Sequence, residues 1–399
     1  MFYKWPEITN LDQVRQAIAG RDEFIVAERD WGYVANYLVN LIDTFPTPNT
    51  KDPILNEQYK IRRECRGIKF DLNGNLMART LHKFFNLGEK LEVDQSRIDW
   101  SQPYIILDKL DGSMIHPVLI DRQIVYMTKM GITDVAQPVQ LFADQKGRQA
   151  IFYNDFCHDL IKSGMTPTFE WCSRIQRIII DYPEDQLILT AIRMMRTGQY
   201  KTYNQMVALA TPYRVPVVKY WNNTWGDISD FVKHVQSREN EEGCVTRFND
   251  GHMCKHKNPW YLQLHKTKEL LAFEKDVWML ILTEKQDDAK AFMEQPDKDR
   301  IDAFARDLYK ALDETTDRLK WIVIEAQDNL NGSKKRFAIE YVNNPKKGFI
   351  NNEKGLLFKI WDGNDPREVV YDYVRNHLSS GPKLEEVRHL AGGILWGAY

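Results

Sequence analysis

Lys109-Leu110-Asp111-Gly112-Ser113 sets a lysine, a carboxylate and a glycine between two apolar, β-rich runs, 104–107 and 114–120. A lysine in that setting can point into a cleft. Its amine is a nucleophile when neutral, a form that desolvation and neighbouring positive charge favour. Gly112 lets the backbone turn tightly against a ligand. Alone, the pentapeptide reads more readily as a charged hairpin turn, since turns are rich in Asp, Gly and Lys. Further along, Phe169-Glu170-Trp171 places a carboxylate between two aromatics at a strand end, Glu242-Gly243-Cys244-Val245 a carboxylate entering a strand, and Lys255-His256-Lys257 two lysines two residues apart. On a strand those lysines face one side. Each stretch singly is ordinary solvated charge. In this order they supply an amine nucleophile, carboxylates for a divalent metal or a ribose, and cations for a polyphosphate, which are the parts of nucleotidyl transfer.

Those residues need strands to hold them. Residues 24–28 and 33–38 read as strands around a Trp31-Gly32 turn, and 45–58, rich in Pro and Asn, as an exposed loop. Short β-rich runs recur at 68–70, 104–107, 114–120, 124–128, 168–171, 187–192, 215–219, 244–248 and 252–255. Beyond about Trp260 the pattern changes. Leu264, Leu270, Leu271, Phe273, Val277 and Leu280 recur at helical spacing, and 301–312, 319–326, 369–378 and 384–390 do the same. The expected architecture is α+β, with a body over 1–264 and an all-helical domain over 265–399.

KxDG, FE, EGxV and KxK in this order resemble motifs I, III, IV and V of the covalent nucleotidyltransferases, the superfamily of DNA ligases, RNA ligases and mRNA capping enzymes. Glu64-Cys65-Arg66-Gly67-Ile68, Lys83-Phe84-Phe85-Asn86-Leu87 and Arg177-Ile178-Ile179-Ile180-Asp181-Tyr182 narrow the resemblance to the bacteriophage RNA ligase 1 family, of which the T4 phage enzyme is the type. It covers roughly residues 24 to 270 well and weakens beyond, where Lys335-Arg336-Phe337-Ala338-Ile339-Glu340 has a counterpart.

The resemblance implies an adenylyltransferase (nucleotidyltransferase, ATP-grasp-like ligase) domain of antiparallel sheets with flanking helices. It implies an ATP-dependent RNA ligase in which Lys109 attacks the α-phosphorus of ATP, AMP passes from the lysine to a 5′-phosphate RNA end, and a 3′-hydroxyl displaces AMP. Arg66, Lys83, Lys129, Glu170, Glu242, Lys255 and Lys257 then form the ATP site, with Phe85, Asp111 and Gly112 in support. Glu170 and Glu242 are its candidate metal ligands, for Mg²⁺ or alternatively Mn²⁺. The implied partner is RNA, a tRNA with a broken anticodon loop in phage repair, with the helical domain aiding that choice. Lys334-Lys335-Arg336 and Lys346-Lys347 are candidate phosphate contacts there.

Composition is that of a globular chain: 399 residues, 28% charged, 43% hydrophobic. A formal net charge of −2 excludes a bulk polycation, so nucleic-acid binding must come from local clusters of Lys and Arg. Five cysteines, Cys65, Cys157, Cys172, Cys244 and Cys254, lack CxxC spacing and read as reduced cytosolic thiols. His116, His158, His234, His256 and His265 make no metal-spaced cluster. Trp31, Tyr37, Phe84 and Trp260 read as core aromatics, with Phe85 the exception. No run is long or apolar enough to span a bilayer, and no signal peptide opens the chain, so a cytoplasmic protein, in an infected host if phage-encoded, is expected. A DNA ligase or capping enzyme is the competing reading; it requires a β-rich OB-fold after Lys257, where this chain turns helical. A non-catalytic RNA-binding protein would have lost Lys109 or a motif carboxylate, and neither is lost.

Overall fold

The computed structural model describes residues 4–41, 43–145, 151–221 and 228–399. Its contacts divide the chain into two units, Met1–Leu262 and Gln263–Tyr399. The first unit carries three four-stranded sheets. One runs in chain order through β1 (Phe24–Arg29), β2 (Gly32–Tyr37), β3 (Arg66–Phe70) and β4 (Leu76–Ala78), all antiparallel. The strands that follow are β5 (Phe85–Asn86), β6 (Tyr104–Asp108), β7 (Ser113–Ile120), β8 (Gln123–Met127), β9 (Met165–Cys172), β10 (Gln186–Met194), β11 (Gly243–Phe248) and β12 (Met253–Lys257). They sort into a second sheet, β10-β9-β7-β8, and a third, β5-β12-β11-β6, in which only β5 runs parallel to its neighbour. The α+β expectation holds.

Local chemistry starts several helices. Asn10 and Gln13 form a reciprocal capping box at helix Leu11–Ile18, as do Thr202 and Gln205 at Tyr203–Ala210. Asp52 caps helix Pro53–Glu64, which opens on its proline. That helix corrects the loop expected over 45–58: only the first part is loop, and Phe45 within it is fully buried against Phe24, Tyr37 and Phe85. Residues 215–219, read as a strand, make only isolated bridges through Val217 and its neighbour Tyr220.

Three apolar clusters support the site. Ile115, Phe156, Phe169, Leu187 and Leu189 pack beneath the second sheet. Ile8, Val14, Ile68, Phe70 and Phe85 pack beneath the first. Ile106, Phe231 and Cys244 close the third.

In the second unit the described residues are helical. Its spine is one helix, Gln295–Leu330, where the sequence pattern suggested two. Trp278, Phe304, Leu308, Leu357 and Val370 form its core. No helix among the described residues is long and apolar enough to cross a membrane.

Candidate active site

Residues 109–112 are the crossover from β6 in the third sheet to β7 in the second, so Lys109 stands where two sheets meet. Its backbone N–H donates to the carbonyl of Gly243, at 3.0 Å. This bond extends the β6–β11 register, in which Asp108 lies opposite Cys244. Glu242, just before β11, is thereby brought beside the lysine. Lys109 Nζ lies 2.5 Å from Glu242 Oε2 and Lys257 Nζ 3.1 Å from Glu242 Oε1. One nearly buried carboxylate thus bridges two lysines that are 148 residues apart in sequence (257 − 109). Lys255 and Lys257 share a face of β12, while Cys254 and His256 between and beside them turn inward.

Lys109 lies on the wall shared by two cavities. One, of about 680 Å³, includes Glu242, Tyr182 and Arg174 in its lining. The other, of about 590 Å³, is lined by Arg66, Lys129, Lys255, Glu170, Gly112 and the rings of Tyr37 and Phe84. This second cleft gathers cations. Burial, reinforced by Arg66, Lys109 and Lys83, pushes the Lys255 amine down to about 6. Burial, with Arg66, Lys129 and Lys90 overcoming the pull of Glu89, brings Lys83 to about 8. Lys129 is lowered by burial and by Arg66. Crowded cations that burden one another in the free protein are preorganised for a polyanion, which relieves the repulsion.

Glu170, on β9 opposite Met114 and Ile188, faces the same cleft. Its carboxylate has no hydrogen-bond or ion-pair partner among the described residues. Burial raises it to about 7, with Glu242 and Asp111 adding to the rise and Lys109 and Arg66 opposing it. A raised carboxyl is neutral below its pKa and charged above. We therefore expect kcat/KM for any step needing the Glu170 carboxylate to climb with pH through about 7. Glu170→Gln should flatten that limb; a limb that survives the substitution belongs to another group.

Asp111 is committed to the chain. Its Oδ2 accepts the N–H groups of Ile179 and Ile180, both at 2.7 Å, and its Oδ1 the hydroxyl of Tyr261 at 2.6 Å. Its own N–H donates to the Tyr182 hydroxyl at 2.9 Å. One buried carboxylate therefore pins the lysine loop to residues 179–182 and to the segment after Lys257. Gly112 is required by packing: a Cβ there would stand 2.3 Å from the Trp171 carbonyl, next to Glu170. Asp111→Ala should slow the chemistry of Lys109 about 100-fold, the usual cost of an ångström of misplacement. Comparing single-turnover rate with melting temperature checks this; an unchanged rate would show that the loop holds its shape without the tether.

Of the sequence-predicted residues, the structure groups Lys109, Glu242 and Lys257 in one cluster. It groups Arg66, Lys129, Glu170, Lys255 and Gly112 in the adjoining cleft. Lys83 borders it, its amine 5.1 Å from the Tyr37 ring and 5.4 Å from that of Phe85. Phe85 is a correction. It is 1% exposed and sits in the core, where no ligand can stack on it. Its neighbour Phe84 and Tyr37 line the cleft in its place, with Lys255 Nζ 4.7 Å from the Phe84 ring centre and Arg66 Cζ 5.5 Å from it. In the second unit, Lys334 pairs with Asp362, Arg336 with Glu340, and Lys347 lies over the Tyr341 ring, so three of the proposed phosphate contacts are engaged locally. Sequence reading missed Tyr261, Lys69 and the role of Glu64; each acts through partners distant in the chain.

Among the described residues no group of three His, Cys, Asp or Glu could hold a metal. Glu170 offers hard, unpartnered oxygens that suit Mg²⁺ or Mn²⁺, whereas Glu242 is already shared by two lysines. A divalent ion here would take one or two protein oxygens and complete its shell from phosphates and water.

A family model for RNA ligases matches residues 64–261, the span that holds Lys109 and the cations and carboxylates grouped around it. A protein of Thermovibrio ammonificans described as an RNA ligase is 29% identical over 332 residues, covering 78% of this chain and 80% of the relative. A protein of Autographa californica nuclear polyhedrosis virus described as a bifunctional polynucleotide kinase/RNA ligase is 23% identical over 249 residues, covering 56% of this chain and 34% of the relative. Among solved structures, an archaeal ATP-dependent RNA ligase superposes with a TM-score of 0.44 at 12% identity, covering 66% of this chain and 65% of that one.

Proposed function

We infer the reaction from the premise that this chain belongs, through its residues 64–261, to the RNA ligase family and is an RNA ligase enzyme. It joins a 5′-phosphate to a 3′-hydroxyl RNA end with ATP, through a lysyl-AMP on Lys109 and then an AppRNA. The observation that carries this reading is the Lys109–Glu242–Lys257 cluster opening beside a cleft of Arg66, Lys129 and Lys255.

In the first step the Lys109 Nζ–phosphorus bond forms as the bond from the α-phosphorus to pyrophosphate breaks. Glu242 Oε2, at 2.5 Å, is the acceptor in reach of the proton that the amine must lose. Arg66, Lys83 and Lys129 hold the β- and γ-phosphates and keep the leaving group in line. Lys255 and Lys257 meet the charge that develops on the α-phosphate. Glu170 orients the ribose or carries the metal. A bound Mg²⁺ or Mn²⁺ would supply further charge neutralisation at the phosphates. In the second step a 5′-phosphate oxygen attacks the same phosphorus and the lysine leaves. In the third a 3′-hydroxyl attacks the RNA phosphorus and AMP leaves.

The RNA we propose is a tRNA cut in its anticodon loop, and the setting phage repair in the cytoplasm of an infected cell; the support is the likeness of the 64–68, 83–87 and 177–182 stretches to the phage enzymes. The test is to incubate the protein with ATP, Mg²⁺ or Mn²⁺ and a 5′-³²P RNA. Expected are a transient AppRNA and a phosphatase-resistant product, neither formed with GTP. Sealing of DNA in preference to RNA, or no product from either, would overturn the reading.

A further inference from the structure

Lys69 lies on β3 with its side chain pointing into the protein, and it is 0% exposed. Among the described residues no ion pair involves it. Its amine donates instead to two backbone carbonyls, Gly67 O at 2.9 Å and Thr128 O at 3.0 Å. Those carbonyls belong to the residues next to Arg66 and Lys129, two cations of the cleft. The backbones there also meet directly. Gly67 has φ +87, and a Cβ on it would lie 2.6 Å from the Cα of Lys129. On the far side the turn closes on itself, Thr128 and Gly131 exchanging backbone hydrogen bonds at 2.9 and 3.1 Å.

We propose that Lys69 is a positioning residue, an internal clasp joining the start of β3 to the turn after β8 so that Arg66 and Lys129 stand side by side for one polyphosphate. This rests on the reading of the cleft as the ATP site. Three features support it. Arg66 and Lys129 are like charges at one cleft, and Lys129 is lowered by burial first and by Arg66 second, so something must hold their backbones together against that repulsion. No ladder pairs β3 with β8; the first belongs to one sheet and the second to another, so side chains must bridge them. The donor count also fits. Burial holds the Lys69 amine well below its usual range, and a neutral amine has two N–H groups for its two carbonyls, where an ammonium would strand a third. A neutral clasp adds no third charge beneath a cation pair. His116, also fully buried, is held neutral by burial and so adds no charge either.

Lys69→Met keeps the length and bulk of the stem and removes both donors. In lysyl-AMP formation from α-labelled ATP, KM for ATP should rise about tenfold while kcat at saturating ATP stays within about threefold, because a displaced cation pair weakens ground and transition states alike. Binding of inorganic tripolyphosphate, followed by calorimetry without turnover, should weaken by the same factor. In an Arg66→Ala/Lys129→Ala background the substitution should add less than about twofold, because the residues it positions are gone. Gly67→Ala, which pushes on Lys129 and leaves Lys69 intact, should reproduce the KM effect and serves if Lys69→Met does not fold. A folded Lys69→Met with unchanged tripolyphosphate affinity, a loss confined to kcat, or a full effect in the double-variant background would each overturn the proposal. Failure of the wild type to take label from ATP would instead remove the ATP-site reading.

Discussion

Lys109→Ala should take no label from α-labelled ATP, the rate falling by roughly 10⁴-fold or more, or about 5 kcal/mol of lost transition-state stabilisation. The loss is large because no other group can do the same chemistry. Lys257 also touches Glu242, but from the other carboxylate oxygen. The variant should stay folded. Glu242 keeps Lys257 at 3.1 Å, so removing Lys109 strands no buried charge. The lysine leaves before the last step, so the variant should still seal a pre-adenylylated RNA within about tenfold of wild type. Lys257→Ala should behave differently: it keeps the nucleophile and should slow label transfer by roughly 10- to 1,000-fold, the range for loss of one charge-stabilising donor. Denaturing gels of labelled protein, run beside a sealing assay with AppRNA, separate these outcomes. Label retained by Lys109→Ala would place the nucleophile elsewhere, and loss of both activities would mean that Lys109 organises the site in addition to reacting.

Chain order makes such residues legible. Each lies in a short motif whose chemistry is local: a lysine and glycine at a crossover, a carboxylate at a strand end, two lysines on one strand face. Pairings across the chain are not legible in that way. Lys69, a charged residue in a β-rich run, gives no sign of being fully buried, because its partners are main-chain carbonyls and its clasp closes on residue 128. Phe84 and Phe85 show a different limit. Adjacent strand residues point to opposite faces, so a one-residue choice of register decides which reaches the cleft. That choice is made by β5 pairing with β12, Phe85 opposite Cys254, and nothing local reveals it. Residues 215–219 have strand composition but only isolated bridges, since the segment passes from the edge of one sheet, where Val217 meets Leu189 of β10, to the edge of another, where Tyr220 meets Leu107 of β6. Helical periodicity found the second unit but not the continuity of Gln295–Leu330, since the polar residues 313–318 interrupt its apolar pattern although no helix breaker lies there.

Glu64→Gln should be the most destabilising single change near the site, although Glu64 touches no substrate. Its side chain is 1% exposed and is gripped by two arginines that are 0% exposed. Arg193 binds it in a fork, Nη1 to Oε2 at 2.6 Å and Nη2 to Oε1 at 2.7 Å. Arg79 adds Nε to Oε2 at 3.1 Å and Nη2 to Oε1 at 2.9 Å. The triad ties the end of helix Pro53–Glu64 to the segment after β4 and to β10, and Glu64 stands two residues before Arg66. Removing the one anion leaves two buried guanidiniums facing each other, a change that costs about 3–5 kcal/mol where one partner of a buried pair is lost. For a body of this size that is a fall of roughly 10 °C in melting temperature. The pH dependence gives an independent reading. Burial alone would push the Glu64 carboxyl up, but Arg193 and Arg79 outweigh it and hold it down to about 2. A carboxyl depressed from its ordinary value of 4.5 stabilises the fold above that value, and the contribution is lost as pH falls towards about 2. Wild-type stability should therefore decline across that window with a component that Glu64→Gln lacks, the two curves converging at the acid end. Label transfer at a temperature where the variant is folded should fall far less than its stability. A variant that melts with wild type and loses only activity would move Glu64 out of the scaffold and into the chemistry of its neighbour Arg66.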